Sequence, residues 1–467
     1  MSKTSGWVHR KADTDEERFG LLDKPSMMKY RRQPVFQEPV AEPKKSDLVA
    51  LGFTSGVGSM LFGAQELGFQ IAGNIEWRDY YRFRSDEKSK STFPENFPGA
   101  FMSRGLNDTP KDLLPSSIDF LAGHPECGRF SELSHSVVNG DGAYKATRAD
   151  DVSDIPMFIK AVATLRPRFF LMDDLPASFN PFPMQKYVDL LPDYDLFPEW
   201  ISNFGYGNIQ KHRNRMFVVG ALKSEKFTFV PGEKNHDLVL KDIIGDLVGS
   251  AGDGSISNHA TVDLDYAPGR YVNMRAYGER ITWGELQKVF EDSRWSKNLK
   301  YYTPAGEEKN RPGTINPRWD GYCPVLSGGY NPLHPIRRLP LTVRERARIQ
   351  GFPDSFIFYS DAEGPGRKIW EPYNSDGQRG VKQTGKAMPL QFCTFVADQV
   401  KHKIEGRDFE ATGVRLLKPN ALVSKAKLDF CEQSGYADQE SACQACWLKD
   451  TCHIRRENQT TEKELSV

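Results

Sequence analysis

A chain of 467 residues, 39% of them hydrophobic, is long enough for two domains with tails and can bury a sizeable core. Lysine plus arginine equals aspartate plus glutamate at 62 each, so net charge gives no argument for or against a polyanionic partner, and only local clusters can. There is no run of about 18 apolar residues and no apolar stretch in the opening MSKTSGWVHRKADTDEERFG, so a cytoplasmic chain without a membrane helix or secretory leader is expected.

In chain order, residues 1–45 are charged, carry prolines and lack apolar periodicity, which predicts a flexible N-terminal arm. From Asp47 the texture changes. DLVALGF reads as a buried strand, SMLFGAQELGF as an amphipathic helix and QIAGNIE as a second strand, a β-α-β unit. Further strands are SIDFLAG, RPRFFLMDD and NRMFVVGAL. Residues 46–221 therefore predict an α/β unit, a doubly wound, mostly parallel sheet with helices on both faces. Around Leu222 the chain becomes rich in glycine, asparagine and aromatic residues, predicting a smaller, irregular second domain over 222–336. Residues 337–405 return to helix: LTVRERARIQGF, then GKAMPLQFCTFVADQVKHKI, which should pack back on the sheet. Residues 406–467 form a Cys-rich tail, and no internal repeat is visible.

The first strand ends at Phe53 and passes through Gly56 and Gly58 into a helix, a turn where missing Cβ atoms let a ligand approach the backbone. A bare glycine turn is the alternative. Glu76, at the end of the next strand, is placed to accept both hydroxyls of a ribose, Trp77 to stack on an adenine, and Asp108 to accept an adenine amino group.

The segment Gly123-His124-Pro125-Glu126-Cys127-Gly128-Arg129-Phe130-Ser131 follows a strand at the edge where doubly wound sheets place their chemistry. Here the chain resembles the DNA cytosine-5 methyltransferases, whose nucleophile loop G-G-P-P-C-Q-x-F-S aligns without a gap. The other blocks follow in that family's order: the glycine turn, Glu76-Trp77, Asp108, the Cys127 loop, Asp173-Asp174-Leu175, Gln210 with Arg213 and Arg215, Arg337 through Pro353, and Gly385-Lys386-Ala387.

The resemblance implies the S-adenosylmethionine-dependent methyltransferase fold, that donor as cofactor, and double-stranded DNA as partner of a monomeric enzyme. Its chemistry accounts for the residue types. Cytosine carbon 5 is a poor nucleophile until a thiolate, Cys127, adds at carbon 6. A carboxyl group, Asp173 at the family's glutamate position, serves ring nitrogen 3 and the exocyclic amine, while Arg215 with Arg213 binds the carbonyl oxygen. Because these atoms lie inside the duplex, the base must be flipped out first. A catalytically inactive DNA-binding relative, acting as a regulator or nuclease partner, is the competing reading.

Four departures stand out. Asp173 is a methylene shorter than glutamate and is followed by Asp174. Glu126 replaces a proline beside the nucleophile and calls for a partner such as Arg129 or His124. The Gln210–Arg213 spacing is one residue longer than the family's. Lys386 stands where the last motif has asparagine, and a cation beside a sulfonium suggests a carboxylated donor, carboxy-S-adenosylmethionine, with 5-carboxymethylcytosine as product; the alternative is that Lys386 pairs with Asp174 or Glu126 and plain methyl is transferred.

In 222–336, Arg270, Arg275, Arg280, Arg294, Lys297, Lys300, Arg311 and Arg318 alternate with Tyr271, Tyr277, Trp283, Trp295, Tyr301, Tyr302 and Trp319, a pattern suited to phosphates and bases. In the tail, Cys431, Cys443, Cys446 and Cys452 have the number and spacing for a [4Fe-4S] cluster or zinc, with free structural cysteines as the alternative.

Overall fold

The computed structural model describes residues 36–43, 46–76, 91–125, 154–175, 178, 183–210, 213–232, 238–250, 255–259, 271–273, 280–282, 300–302, 308–310, 317–328, 332, 334–336, 341–359 and 379–409. The sheet is built from β1 (Phe36–Gln37), β2 (Val49–Phe53), β3 (Gln70–Ile75), β4 (Phe101–Ser103), β5 (Phe120–Gly123), β6 (Phe169–Asp174), β7 (Tyr194–Ser202) and β8 (Asn214–Leu222). Their spatial order is β1-β4-β3-β2-β5-β6-β8-β7. Strands β4, β3, β2, β5 and β6 run parallel, while β1 and β8 pair antiparallel with their neighbours in the parallel block and β7 pairs antiparallel with β8.

The central strands are apolar almost throughout because both faces are covered. Alternate residues serve opposite sides. Phe120, Phe169, Leu171, Phe217 and Val219 pack under α1 (Ser59–Glu66) and the later helix at Leu390–Ile404. Leu121, Phe170, Met172 and Val218 meet α3 (Asp154–Leu165) and α4 (Met184–Leu190) on the other face, while α2 (Thr92–Asn96) lies between β3 and β4 in the chain. This is the expected mixed, mostly parallel α/β sheet with flanking helices. Strand β7 escapes a sequence reading because Pro198 interrupts it. As the last strand of the sheet, paired only with β8, it has no second neighbour for a proline to deprive.

Beyond residue 222 the chain stays on the sheet for several residues more. Phe227 packs edge-on against Phe169 at 5.3 Å, and Gln399 bonds both the amide and the carbonyl of Val230 at 3.0 Å. A separate cluster joins Leu240 and Ile244 of α5 (Leu240–Ile244) to Leu247, Cys323, Leu326, Leu341 and Ile349. Two short antiparallel ladders, Tyr271–Asn273 with Arg280–Thr282 and Lys300–Tyr302 with Glu308–Asn310, belong to the same region of sequence.

Helix α6 (Val343–Gln350) is capped by its own sequence: Thr342 Oγ1 accepts from the Glu345 amide at 3.1 Å, and Glu345 accepts from the Thr342 amide at 2.8 Å. Its arginines are internal struts. Arg344 donates to the carbonyls of Ser257, Pro353 and Phe356, and burial pushes it down to about 10. Arg346 reaches Ser327, Val381 and the Thr384 hydroxyl. Helices α7 (Arg379–Lys386) and α8 (Leu390–Ile404) close the described chain. Among the described residues no helix is long and apolar enough to cross a membrane.

Candidate active site

The strand order reverses between β2 and β5: β3 and β4 continue to one side of β2, and β5 and β6 lie on the other. The C-terminal ends of strands flanking such a reversal leave a crevice outside the sheet. Two sets of side chains converge there.

On the β2–β3 side, the chain leaves Phe53 through Thr54, Gly56 and Gly58 with φ of 56°, 65° and 86°. A left-handed threonine is strained, and such strain concentrates at functional turns. Gly58 caps α1, and a Cβ there would lie 2.5 Å from the Phe97 ring. The turn is pinned from β3. Glu76, buried, accepts from the Gly56 amide at 2.8 Å, and Asn74 donates to the Gly56 carbonyl at 3.1 Å. Phe53 sends its ring into the core against Phe158, so its contribution to the turn is backbone, its carbonyl accepting from the Thr54 hydroxyl. The Glu76 amide bonds Ser103 at the end of β4, which brings the following turn with Asp108 alongside. Burial raises the Asp108 carboxyl, an effect that Arg104 opposes.

On the β5–β6 side, Gly123 ends β5 where no side chain fits: a Cβ would stand 2.2 Å from Phe158 and 2.4 Å from the Phe53 carbonyl. The His124 amide then bonds the Thr54 carbonyl at 3.3 Å, tying the two sets together. Asp173, fully buried near the end of β6, receives a fork from Arg215 on β8, with Nε to Oδ1 at 2.9 Å and Nη2 to Oδ2 at 2.6 Å. His124 Nδ1 lies 2.6 Å from the same Oδ2 and 3.1 Å from Arg215 Nη2. Burial alone would raise the Asp173 carboxyl, but Arg215 and His124 outweigh it and hold it below the ordinary carboxylate range.

Arg213 does not join this cluster. Its guanidinium donates to the carbonyls of Leu326 at 2.8 Å and Ala387 at 2.7 Å, where it braces the link between α7 and α8. Gln210 has a similar role, donating to Gln350 and accepting from the Leu326 amide. Lys386, half-buried, ends α7 in this braced segment. A Cβ on Gly385 would lie 2.2 Å from the Ser327 carbonyl carbon, and the Met388 amide bonds Ser59 Oγ at the start of α1 at 3.1 Å. The segment carrying Lys386 thus returns to the glycine turn.

Residues 50–402 match the family described as C-5 cytosine-specific DNA methylase. The chain belongs to that family. The methylase is 24% identical over 373 residues to the type II methyltransferase M.FnuDI of Fusobacterium nucleatum, covering 77% of this chain and 95% of that one. It is 26% identical over 369 residues to M.NgoPII of Neisseria gonorrhoeae, covering 75% and 94%, and 24% identical over 368 residues to M.MthTI of Methanothermobacter thermautotrophicus, covering 76% and 97%. Membership brings S-adenosylmethionine-dependent methylation of DNA at cytosine carbon 5 as the class of activity.

Cys127, Glu126, Arg129 and Trp77 lie outside the described residues, as do Cys431, Cys443, Cys446 and Cys452. Among the described residues no group of three or more His, Cys, Asp or Glu side chains is arranged to hold a metal. The described free thiols of the methylase, Cys323 and Cys393, are buried; burial pushes Cys323 up to about 12, and burial with Asp173 nearby raises Cys393. The residue a sequence reading misses is His124. Its signal was a histidine where the family loop has glycine, and among the described residues it meets Asp173.

Proposed function

We propose that this methylase flips a cytosine out of double-stranded DNA, adds the Cys127 thiolate to ring carbon 6, and transfers a one-carbon group to carbon 5. The observation that carries the reading is the buried Asp173–Arg215 fork, at the sheet edge from which the Cys127 loop departs. An ionised carboxylate locked to a guanidinium at a strand-end crevice suits a site that handles a polar ring. In this reading the carboxylate serves nitrogen 3 and the exocyclic amine through the groups bonded to it, and the guanidinium serves the carbonyl oxygen. Arg213 braces the link between α7 and α8 through the carbonyls of Leu326 and Ala387.

The glycine turn fits an adenosine-bearing donor: Gly56 and Gly58 take left-handed backbone at the start of a helix, and Glu76 is a buried carboxylate about 20 residues further on, as ribose recognition requires. Glu76 would hold the ribose hydroxyls, Asp108 the adenine amine, Trp77 the adenine face, and Phe53, Gly56 and Gly58 the backbone cradle. The bound donor supplies an electrophilic carbon on a sulfonium. Lys386, in the segment bonded to Ser59, is the residue through which a carboxylated donor, carboxy-S-adenosylmethionine, would be chosen over plain S-adenosylmethionine.

Residues 222–336 serve as the target-recognition region and the four tail cysteines as a cluster or zinc site, the latter checked by iron and zinc analysis of anaerobically purified protein. The central test is trapping on DNA containing 5-fluorocytosine. The wild-type chain forms a covalent complex and Cys127→Ser does not; absence of a complex from protein that binds the DNA favours the inactive, regulatory reading instead. Nucleoside mass spectrometry after incubation with each donor then reads methyl against carboxymethyl, and a methyl-only product unchanged in Lys386→Asn removes the role given to Lys386.

A further inference from the structure

Asp173 is poorly disposed to serve nitrogen 3 by itself. Its side chain is fully buried, Oδ1 is taken by Arg215 Nε, and Oδ2 is taken by both Arg215 Nη2 and His124 Nδ1. It is also one methylene shorter than the glutamate it replaces. His124 is the group in contact with that carboxylate that lies on the nucleophile's own loop, three residues ahead of Cys127. Its tautomer follows from geometry. Nδ1 lies 2.6 Å from Asp173 Oδ2 and 3.1 Å from the donor Arg215 Nη2; the shorter contact, which would otherwise set two lone pairs against each other, assigns the proton to Nδ1, donated to Asp173. The second ring nitrogen, Nε2, is then the one left to exchange a proton, with the Asp173 carboxylate behind Nδ1 supporting a positive ring and the Arg215 guanidinium opposing it.

We infer that His124 is a further catalytic residue, the acid that protonates cytosine nitrogen 3 as Cys127 adds, and that Asp173 positions it. This rests on the reading of Cys127 as nucleophile. As the thiolate bonds to carbon 6, the C5=C6 electron pair moves to C4–C5 and the C4=N3 pair moves onto nitrogen 3, which takes the Nε2 proton of the imidazolium. Carbon 5 of the resulting enamine takes up the one-carbon group as that carbon's bond to the donor sulfonium breaks and the pair leaves on the neutral thioether; C4=N3 re-forms, and the proton on nitrogen 3 returns to Nε2. Loss of the carbon-5 proton to water restores C5=C6 and expels the thiolate. His124 ends as it began.

The test compares His124→Asn, His124→Ala and wild type for the single-turnover rate of trapping on plasmid DNA substituted with 5-fluorocytosine, with S-adenosylmethionine present and DNA affinity measured separately. The asparagine amide places an N–H where Nδ1–H stands, so it keeps the bond to Asp173 but has no second nitrogen to give a proton. Both variants should trap about 100-fold or more slowly, with DNA affinity unchanged. The wild-type rate should also fall on the alkaline side as the imidazolium is lost, a limb absent in His124→Asn. Among the described residues, charged groups facing the ring include Asp173 of β6 and Arg215 of β8, with Cys393 of α8 near the same carboxylate. A His124→Asn rate equal to wild type, a defect lying wholly in DNA affinity, or a wild-type profile with no alkaline limb overturns the inference. A wild-type chain that binds the DNA and never traps overturns the nucleophile reading and this step with it.

Discussion

Replacing Arg213 by alanine separates scaffold from chemistry at this site. The guanidinium is 6% exposed and donates to two backbone carbonyls at short range, Leu326 at 2.8 Å and Ala387 at 2.7 Å. Removing it leaves the Leu326 oxygen without that donor, at about 1–3 kcal/mol for an unsatisfied buried acceptor. The Ala387 oxygen suffers less, because Gln350 Nε2 also reaches it at 3.2 Å. Together these give a destabilisation of about 3 kcal/mol for Arg213→Ala. Arg213→Lys, with a point donor in place of the planar fork, should recover roughly half of it. Urea unfolding of the full chain, followed by tryptophan fluorescence, measures the loss, and trapping on 5-fluorocytosine DNA under native conditions measures the chemistry. The expected outcome is lowered stability, with the folded fraction still able to trap. Unfolding shifted by less than about 0.5 kcal/mol together with abolished trapping would refute the reasoning, because Arg213 would then be acting on the base.

Arg215→Ala should behave oppositely, abolishing trapping and costing about 3–5 kcal/mol by leaving Asp173 buried without its fork, as read by the same two assays. Asp173 gives an acid dependence of definite sign. Its carboxyl lies below the ordinary 3.8 in the folded chain, so its contribution is present above that value and is lost as pH falls through the folded value. Acid unfolding followed by near-ultraviolet circular dichroism should therefore be less steep in Asp173→Asn, and an unchanged profile counts against the pair. Glu76→Gln should weaken S-adenosylmethionine binding by about 10-fold or more in titration calorimetry while DNA affinity stays the same; an equal loss of both would mean the turn itself had collapsed. Iodoacetamide at neutral pH should leave Cys323 and Cys393 unmodified in the folded chain, because both thiols are buried and held protonated, and peptide mass mapping that finds either one alkylated would contradict that packing.

Much of this was legible in sequence for local reasons. Short apolar runs such as FFLMDD and MFVVGAL read as strands covered on both faces, and Thr342 with Glu345 carries its own capping instruction three residues apart. The order of blocks from the glycine turn to Gly385 sufficed to suggest the family. Sequence also picked out Glu76, because a carboxylate one strand beyond a glycine turn has a recurrent use.

Tertiary structure alone decided which charges meet. Arg213 and Arg215 look equivalent in the chain, yet one reaches carbonyls 113 and 174 residues on and the other a carboxylate 42 residues back. Arg215 Nη2 and His124 Nδ1 are 91 residues apart in sequence and 3.1 Å apart in space. Strand direction sets which residue type faces a crevice, so sequence determined the fold and the kinds of groups at the sheet edge. The partners of each buried charge depend on which distant carbonyls and carboxylates the packing leaves within hydrogen-bonding distance, and that choice is made only when the whole sheet closes.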